Sequence, residues 1–488
     1  MALVLGKEDG VWIDSPREAS KQYDLFELAA FRYFARKKPI PSQTGGPCNG
    51  EDTSSSMVPS QASSSHQIVL REEGPGLNTT TEGIARNRKR KRKTRSTYTP
   101  NTKEVAAKAR HEAIRPFILA AYEAFGQRLA DGSLPRSWIQ PASSEPEMGD
   151  EDVDFVALAG VWQADLAEIV FQDSEEHFPL FNALVRNDCA SEVLAACMGH
   201  TFLLPKRSAF LLSDFSRLSP LIPATRSEGY DIILLDPPWE NKSVQRQATY
   251  ATLPNRNLLG LPLQKLAHSD GALVAIWVTN REKLRAFVES ELLATWGLRL
   301  EATWHWLKVT PEGETISPLD LAHHRPYEVL VLARAPSEEQ DVPSAEREQP
   351  SETQHVASAE REQPSEMQQA ASDEREQPFG THKMNTVESP ASSQLTVTPS
   401  APDNFVIVSV PGEHSRKPPL KCLLEKYSAK GASSRGLELF ARELTAGWTS
   451  WGNEVLRFQD AKYFVAKGGR ALTPDCSSNH LARPREVK

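Results

Sequence analysis

The apolar residues of this chain fall into short continuous runs divided by polar stretches, and that pattern predicts a sheet before it predicts anything else. The clearest run, Asp231-Ile232-Ile233-Leu234-Leu235, ends on Asp236-Pro237-Pro238-Trp239. A short apolar run bounded by a breaker reads as a core strand of a parallel sheet, and two successive prolines cannot donate to a ladder, so pairing stops there. Phe210 to Leu212, Gly271 to Val278, Leu300 to Lys308, Tyr327 to Ala333, Phe405 to Val410 and Gly436 to Phe440 read as further strands. Leu258 to His268 reads as a short helix, Arg281 to Thr295 as an amphipathic helix, and Pro419 to Tyr427 as a third. Strands alternating with helices predict an α/β doubly wound domain over residues 206–470.

Ahead of it, residues 101–205 read as a helical N-terminal region. Asn101 or Thr102 caps a helix whose apolar side is Val105, Ile114, Phe117, Ile118, Tyr122, Phe125 and Leu129, with Pro116 expected to break or kink it. Phe155 to Phe171 and Phe181 to Met198 read as two more helical stretches. Residues 1–40 form an N-terminal docking segment, with Val11-Trp12-Ile13 and then Tyr23, Leu25, Phe26, Leu28, Phe31 and Phe34 at helical steps. Packing against the later domain is the favoured use of that segment, and a partner helix the other.

Composition changes this picture at three places. Residues 41–100 have little to bury and read as a disordered linker, and 471–488 as a tail. Residues 336–402 interrupt the sheet pattern; Ser344-Ala345-Glu346-Arg347-Glu348-Gln349-Pro350 recurs from Ser358 and, altered, from Ser372, a 14-residue spacing with no apolar face. That is a disordered tandem duplication between two strands, which loop entropy tolerates because its cost grows only logarithmically. With 35 prolines in 488 residues and a mean hydropathy of -0.46, one large folded unit carries these polar attachments.

No apolar run approaches the roughly 18 residues of a membrane helix. The stretch Met1-Ala2-Leu3-Val4-Leu5 is interrupted by Lys7, Glu8 and Asp9 before it forms a secretory signal core. The five cysteines, Cys48, Cys189, Cys197, Cys422 and Cys476, lack paired or ligand spacing, which fits a reducing compartment and predicts no metal. The formal net charge of -8 means that any affinity for nucleic acid resides in a local patch. Arg86 to Arg95 holds eight basic residues in ten and reads as a nuclear localisation signal, with phosphate contact and a plain solvated run as alternatives. A nuclear protein is expected, with the cytoplasm left open.

The candidate chemistry lies beyond the carboxyl end of the Asp231–Leu235 strand, where open α/β sheets hold ligands. Asp236 and the Pro237 carbonyl can both accept from an exocyclic amine, and Trp239 offers a stacking face, a set suited to a nucleobase. An Asp-Pro turn with a packing Trp is the plainer alternative.

Asp236-Pro237-Pro238-Trp239 resembles the DPPW motif of the adenine-N(6) methyltransferase family. Tyr230 to Ser243, Glu438-Leu439-Phe440-Ala441-Arg442 and Gly447-Trp448-Thr449-Ser450-Trp451-Gly452-Asn453-Glu454 most resemble its methyltransferase-like protein 4 branch. The resemblance covers about Ser208 to Phe464. It implies a Rossmann-like class I fold, S-adenosyl-L-methionine as cofactor, and an RNA or DNA substrate whose adenine is single-stranded or flipped. It implies that Asp214 and Phe215 lie beside the cofactor's adenine, although Asp214 can equally cap the next turn. Lys417, with Ser415 beside it, would supply a cation, Glu438 would accept from the ribose hydroxyls, and Arg442, Asn453 and Glu454 would add contacts. Asn241, Lys242 and Ser243 would extend the active loop toward substrate. The implied substrate is the 2′-O-methylated internal adenosine of a spliceosomal small nuclear RNA, handled without an obligate partner. One departure stands out: no glycine-rich loop follows Glu438, where Ala441-Arg442-Glu443-Leu444 precedes Gly447. A nucleic-acid-binding adaptor with a silent fold is the alternative from another class.

Overall fold

A computed structural model describes residues 2–4, 10–29, 101–134, 152–161, 164–240, 253–321, 324–337 and 399–467. Met1–Ala35 and Thr102–Lys488 make one compact unit, and Arg36–Asn101 the other. The basic run 86–95, the linker, Phe31 and Phe34, Asn241 to Ser243, the 14-residue duplication and the tail lie outside the described residues.

The strands in chain order are β1 (Ala2–Val4), β2 (Gly10–Ile13), β3 (Phe26–Leu28), β4 (Glu168–Phe171), β5 (His177–Pro179) and β6 (Leu184–Arg186). Next come β7 (Val193–Cys197), β8 (His200–Leu204), β9 (Ala209–Leu212), β10 (Ile232–Leu235), β11 (Ala272–Val278) and β12 (Arg299–Lys308). The last are β13 (Tyr327–Ala335), β14 (Val406–Ser409), β15 (Gly436–Leu439), β16 (Trp448–Gly452) and β17 (Phe464–Ala466).

Among the described residues, 11 strands form one sheet in the order β1-β2-β14-β12-β13-β11-β10-β15-β16-β9-β6. The run from β11 to β9 is parallel throughout, with β10 between β11 and β15. The β13 strand is antiparallel to both of its neighbours, β11 and β12, so its amino end meets the carboxyl ends of the others. Side chains alternate across this sheet and both faces are dry. Ile233, Leu235, Val274, Ile276, Leu437 and Leu439 join one core, and Ile232, Leu234, Trp277, Trp304, Trp306 and Leu330 the other. That is why the strands read as unbroken apolar runs. The architecture is mixed α/β built on one large sheet.

The expected docking of the N-terminal segment is observed, although not as a helix through Tyr23. Val11, Trp12 and Ile13 are buried on β2 beside β14, α1 (Ser15–Ser20) follows, and Phe26–Leu28 pairs with β17 as a strand. Leu25 points outward at 64% exposure. Helix α2 (Thr102–Ala130) runs unbroken through Pro116, contrary to the expected break. Pro116 lies on the exposed face of the helix, where the carbonyl it leaves without a donor can bond water. The buried stripe of α2 is His111, Ile114, Ile118, Ala121 and Phe125, packed on Trp12, Leu307 and Val406, whereas Val105 and Phe117 are exposed.

The helical reading of residues 155–198 also fails. Among the described residues only Phe155–Ala159 is α-helical there, and β4, β5, β7 and β8 form a small antiparallel sheet while β6 joins the large one. Val193–Cys197 buries alternate residues, a period of two that its Ala and Leu composition disguised. The hairpin between β7 and β8 turns at Met198 and Gly199, both with positive φ (49° and 79°), the geometry of a tight two-residue turn. The helix expected at Arg281 to Thr295 is present as α3 (Glu282–Phe287), extended through a wider turn at Val288–Leu292 to Thr295.

His305, on β12 under α2, is 1% exposed, and its Nε2 meets Asn404 Oδ1 at 3.2 Å. Burial pushes its imidazole down to about 4. The neutral ring is therefore favoured by folding. The associated stability is complete above the ordinary value of 6.5 and is lost as pH falls from there through about 4, worth about 3 kcal/mol. His305→Gln should flatten the melting temperature across that window; an unchanged slope would mean that other groups carry the acid sensitivity.

Candidate active site

The site is built where β10 stops. Asp236 N–H still donates to the Leu439 carbonyl (3.2 Å), and the chain then folds back on itself: Trp239 N–H donates to the Pro237 carbonyl at 2.8 Å and Leu253 N–H to the Pro238 carbonyl at 3.1 Å. Trp239 is 7% exposed and its indole N–H donates to the Trp277 carbonyl at 2.8 Å. Two expectations change here. The Pro237 carbonyl already accepts one hydrogen bond and has one lone pair left for an amine. Trp239 packs in the core and pins the loop to the end of β11, so it presents no open stacking face. A buried indole N–H needs an acceptor, and the nearest strand end provides it.

Asp236 is the meeting point of three elements. Lys417, from the loop after β14, places Nζ 3.1 Å from Asp236 Oδ1 and 3.2 Å from Glu328 Oε2, and Arg442 Nη2 lies 3.8 Å from Asp236 Oδ2. Glu328 is the second residue of β13, so the antiparallel direction of that strand delivers it to the carboxyl ends of β10 and β11. Lys308, at the end of β12, pairs with its other oxygen and sits 4.6 Å from the ring centroid of Trp306. Burial alone would raise Glu328, but the Lys417 and Lys308 ammonium groups outweigh it and hold the carboxyl down at about 2. Burial likewise opposes the charge on Lys417, and the Asp236 and Glu328 carboxylates more than restore it, so its ammonium is held above the ordinary lysine range.

The sequence reading missed Glu328 and Lys308. A lone acid inside Tyr327-Glu328-Val329-Leu330-Val331-Leu332 was the available signal, since an apolar strand tolerates a carboxylate only if a partner is supplied. Its partners are Lys308, 20 positions away on the neighbouring strand, and Lys417, 89 positions away.

Glu438, the third residue of β15, accepts no hydrogen bond from any described residue. Burial of its carboxyl, with the Glu443 and Asp236 carboxylates adding to it against Arg442 and Arg416, pushes it up to about 8. The next residue but one, Phe440, has φ 64° and lies against Trp451 (centroids 4.9 Å) and Phe215 (6.3 Å, rings inclined by 18°). Phe215 thus reaches the β15 end. Asp214 is exposed, and its carboxylate accepts from Ser216 N–H (2.7 Å) and Ser216 Oγ–H (2.5 Å), the turn-capping geometry. Ser415 is exposed with φ 61°, and its carbonyl accepts from Arg442 at 3.4 Å. Asn453 is exposed just after β16, and Glu454 pairs with Arg457 at 2.7 Å. The structure therefore brings Asp236, Lys417, Arg442 and Ser415 together, sets Glu438 within electrostatic reach of them, and keeps Asp214, Asn453 and Glu454 at neighbouring strand ends.

The polar groups fit a ligand rich in donors. Thr279 Oγ1, just past β11, and Ser450 Oγ, on β16, are both buried without a partner among the described residues. Such groups cost about 1–3 kcal/mol each unless something completes them. Among the described residues, no cluster of His, Cys, Asp and Glu could hold a metal ion, and no helix is long and apolar enough to cross a membrane.

This geometry meets the comparison with known proteins at the same residues. The MT-A70 family matches residues 230–371 and 380–454, a span that begins at β10 and ends beyond β16. The chain carries an MT-A70 domain. It is 38% identical to the mouse (Mus musculus) protein "N(6)-adenine-specific methyltransferase METTL4" over 288 residues, which is 59% of this chain and 50% of that protein. The human (Homo sapiens) counterpart of the same name is 36% identical over the same shares. "N6-methyladenosine RNA methyltransferase MTA1" of Pyricularia oryzae is 30% identical over 59% of this chain and 63% of its own length. The chain spans about half the length of the two mammalian relatives. All of the site residues from Asp236 to Glu454 lie within the MT-A70 span.

Removing Lys417 would leave Glu328 with Lys308 alone and Asp236 with only the Arg442 guanidinium at 3.8 Å. Lys417→Met should destabilise the fold by about 3–5 kcal/mol, the usual penalty for breaking a buried pair from one side. Adding Glu328→Gln should recover part of it, because Lys308 then loses its carboxylate. Thermal denaturation of the single and paired variants reads this directly, and a single variant as stable as the wild type would contradict the ion-pair assignment.

Proposed function

We propose that this chain transfers a methyl group to the N(6) amine of adenosine in RNA, through an MT-A70 domain of Rossmann-like, class I type. The observation that carries the reading is the Asp236 carboxylate, held by Lys417 at 3.1 Å at the carboxyl edge of β10, inside the span that matches the MT-A70 family. The names of the mouse, human and Pyricularia relatives support N(6)-adenine chemistry, and the last supports RNA.

The residues fit S-adenosyl-L-methionine. Glu438 would take the ribose hydroxyls, the Phe215, Phe440 and Trp451 rings would border its adenine, and Arg442 and Lys417 would face its carboxylate. When bound, this cofactor supplies a sulfonium methyl that needs no acid to depart. The protein's own task is then mainly placement of a weak nucleophile, because the adenine amine's lone pair is delocalised into the ring. Asp236 accepts one amine hydrogen and the remaining lone pair of the Pro237 carbonyl accepts the other, which turns the nitrogen lone pair outward. Lys417 and Arg442 fix the Asp236 carboxylate, and Trp239 fixes the loop by its bond to Trp277. The methylated amine sheds its extra proton to water. A base inside a duplex cannot enter this loop, so single-stranded or flipped adenosine is the substrate. The 2′-O-methylated internal adenosine of a small nuclear RNA is the specific target we propose. The run Arg86 to Arg95 would direct the protein to the nucleus. DNA adenine is the second reading, since the amine-holding groups are indifferent to the sugar.

Labelled S-adenosyl-L-methionine and matched single-stranded RNA and DNA oligonucleotides test this. RNA should be methylated at N(6), and Asp236→Ala should lower turnover by about 10²–10³-fold. Methylation of DNA alone would overturn the RNA assignment. Full turnover by Asp236→Ala would overturn the mechanism.

A further inference from the structure

Ser450 is 0% exposed, and its Oγ has no hydrogen-bond partner among the described residues. It stands directly opposite Glu438 in the parallel pairing of β15 with β16, where the registers are Gly436 with Trp448 and Glu438 with Ser450. Residues two apart share a face, so Trp448 and Ser450 project together, beside Gly436 and Glu438. A Cβ at Gly436 would lie 2.1 Å from the Trp448 indole, so that ring lies over the glycine and fills the layer below. Ser450 and Glu438 are therefore the next layer toward the carboxyl edge, about 4.8 Å apart along the sheet. Two polar groups meet there, neither with a bond of its own. A fully buried hydroxyl left unpaired beside a half-buried carboxyl is a poor end state.

We propose that Ser450 is a positioning residue, donating its hydroxyl to the Glu438 carboxylate once a vicinal diol is bound there. The inference rests on the reading that S-adenosyl-L-methionine occupies this site. A diol brings two O–H donors to the two carboxylate oxygens, and each oxygen keeps a second lone pair. Ser450 takes one of these from the sheet side and orients the carboxylate edge toward the ribose. The carboxylate offers these acceptors only when ionised, so loading the site releases the Glu438 proton to solvent. Burial, Glu443 and Asp236 favour the protonated acid, whereas Arg442 and Arg416 favour the anion. The Ser450 hydroxyl joins the second group. Affinity for the diol should accordingly rise with pH toward about 8.

The test is calorimetric titration of the full chain with S-adenosyl-L-methionine between about pH 6 and pH 9. Ser450→Ala should weaken binding about tenfold near neutrality and move the pH midpoint upward, and Ser450→Thr should restore both. In a Glu438→Ala background, Ser450→Ala should change nothing further. Equal affinity and midpoint for wild type and Ser450→Ala would overturn the inference, as would an equal loss in the Glu438→Ala background, which a packing role would give. Failure of the wild-type chain to bind at all would remove the cofactor reading and this inference with it.

Discussion

One ammonium group joins the parts of this molecule that matter. Lys417 sits between Asp236 and Glu328, and those carboxylates come from the end of one strand and the beginning of another that runs the opposite way. Charges this enclosed repay their desolvation only when paired at close range. The pairing therefore fixes where three chain segments meet: the loop after β14, the breaker after β10 and the start of β13. Arg442 and Lys308 extend the same logic outward, to the end of β15 and the end of β12.

The sheet exists to make that convergence possible. Parallel strands put their carboxyl ends on one edge, and the reversed β13 adds its amino end to the same edge. Apolar packing covers both faces of the strands, and the carboxyl edge gathers the charged groups Asp236, Glu328 and Lys417. Trp239 shows the division of labour: its ring is in the core and its N–H ties the loop after β10 to β11. Glu328 and Glu438 sit on that edge with opposite electrostatics, one kept ionised by two lysines and the other kept protonated near neutrality by burial and like charge. Two carboxyls so differently tuned suit two different partners, an ion pair and a hydroxyl-bearing ligand.

What was legible in the sequence follows from what is local. The strands β10, β11, β13 and β14 announce themselves because burial on both faces demands uninterrupted apolar runs, and the two prolines mark where β10 must end. The strands β4 to β8 were hidden, because segments such as Val193-Leu194-Ala195-Ala196-Cys197 carry a helix-forming composition and only their alternation and the turn at Met198-Gly199 betray them. Pro116 misled because a proline on an exposed helical face costs less than one inside. Asp236 and Lys417 were readable through motif and resemblance. Glu328 was not, since its meaning lies in Lys417 and Lys308, neither of them local to it in sequence. Of the two uses open to Trp239, a stacking face or packing, sequence does not decide, because nothing adjacent to it reveals the Trp277 carbonyl that claims its N–H.

The central claim is that the Asp236–Lys417–Glu328 array serves the chemistry and not only the fold. The paired variant Lys417→Met with Glu328→Gln separates the two, since it removes the cation and one anion together. N(6)-methyladenosine formed from a single-stranded adenosine oligonucleotide and S-adenosyl-L-methionine, quantified by mass spectrometry, is the measurement. The paired variant should fold and form little or no product; wild-type product from the folded paired variant would leave the array a role in the fold alone.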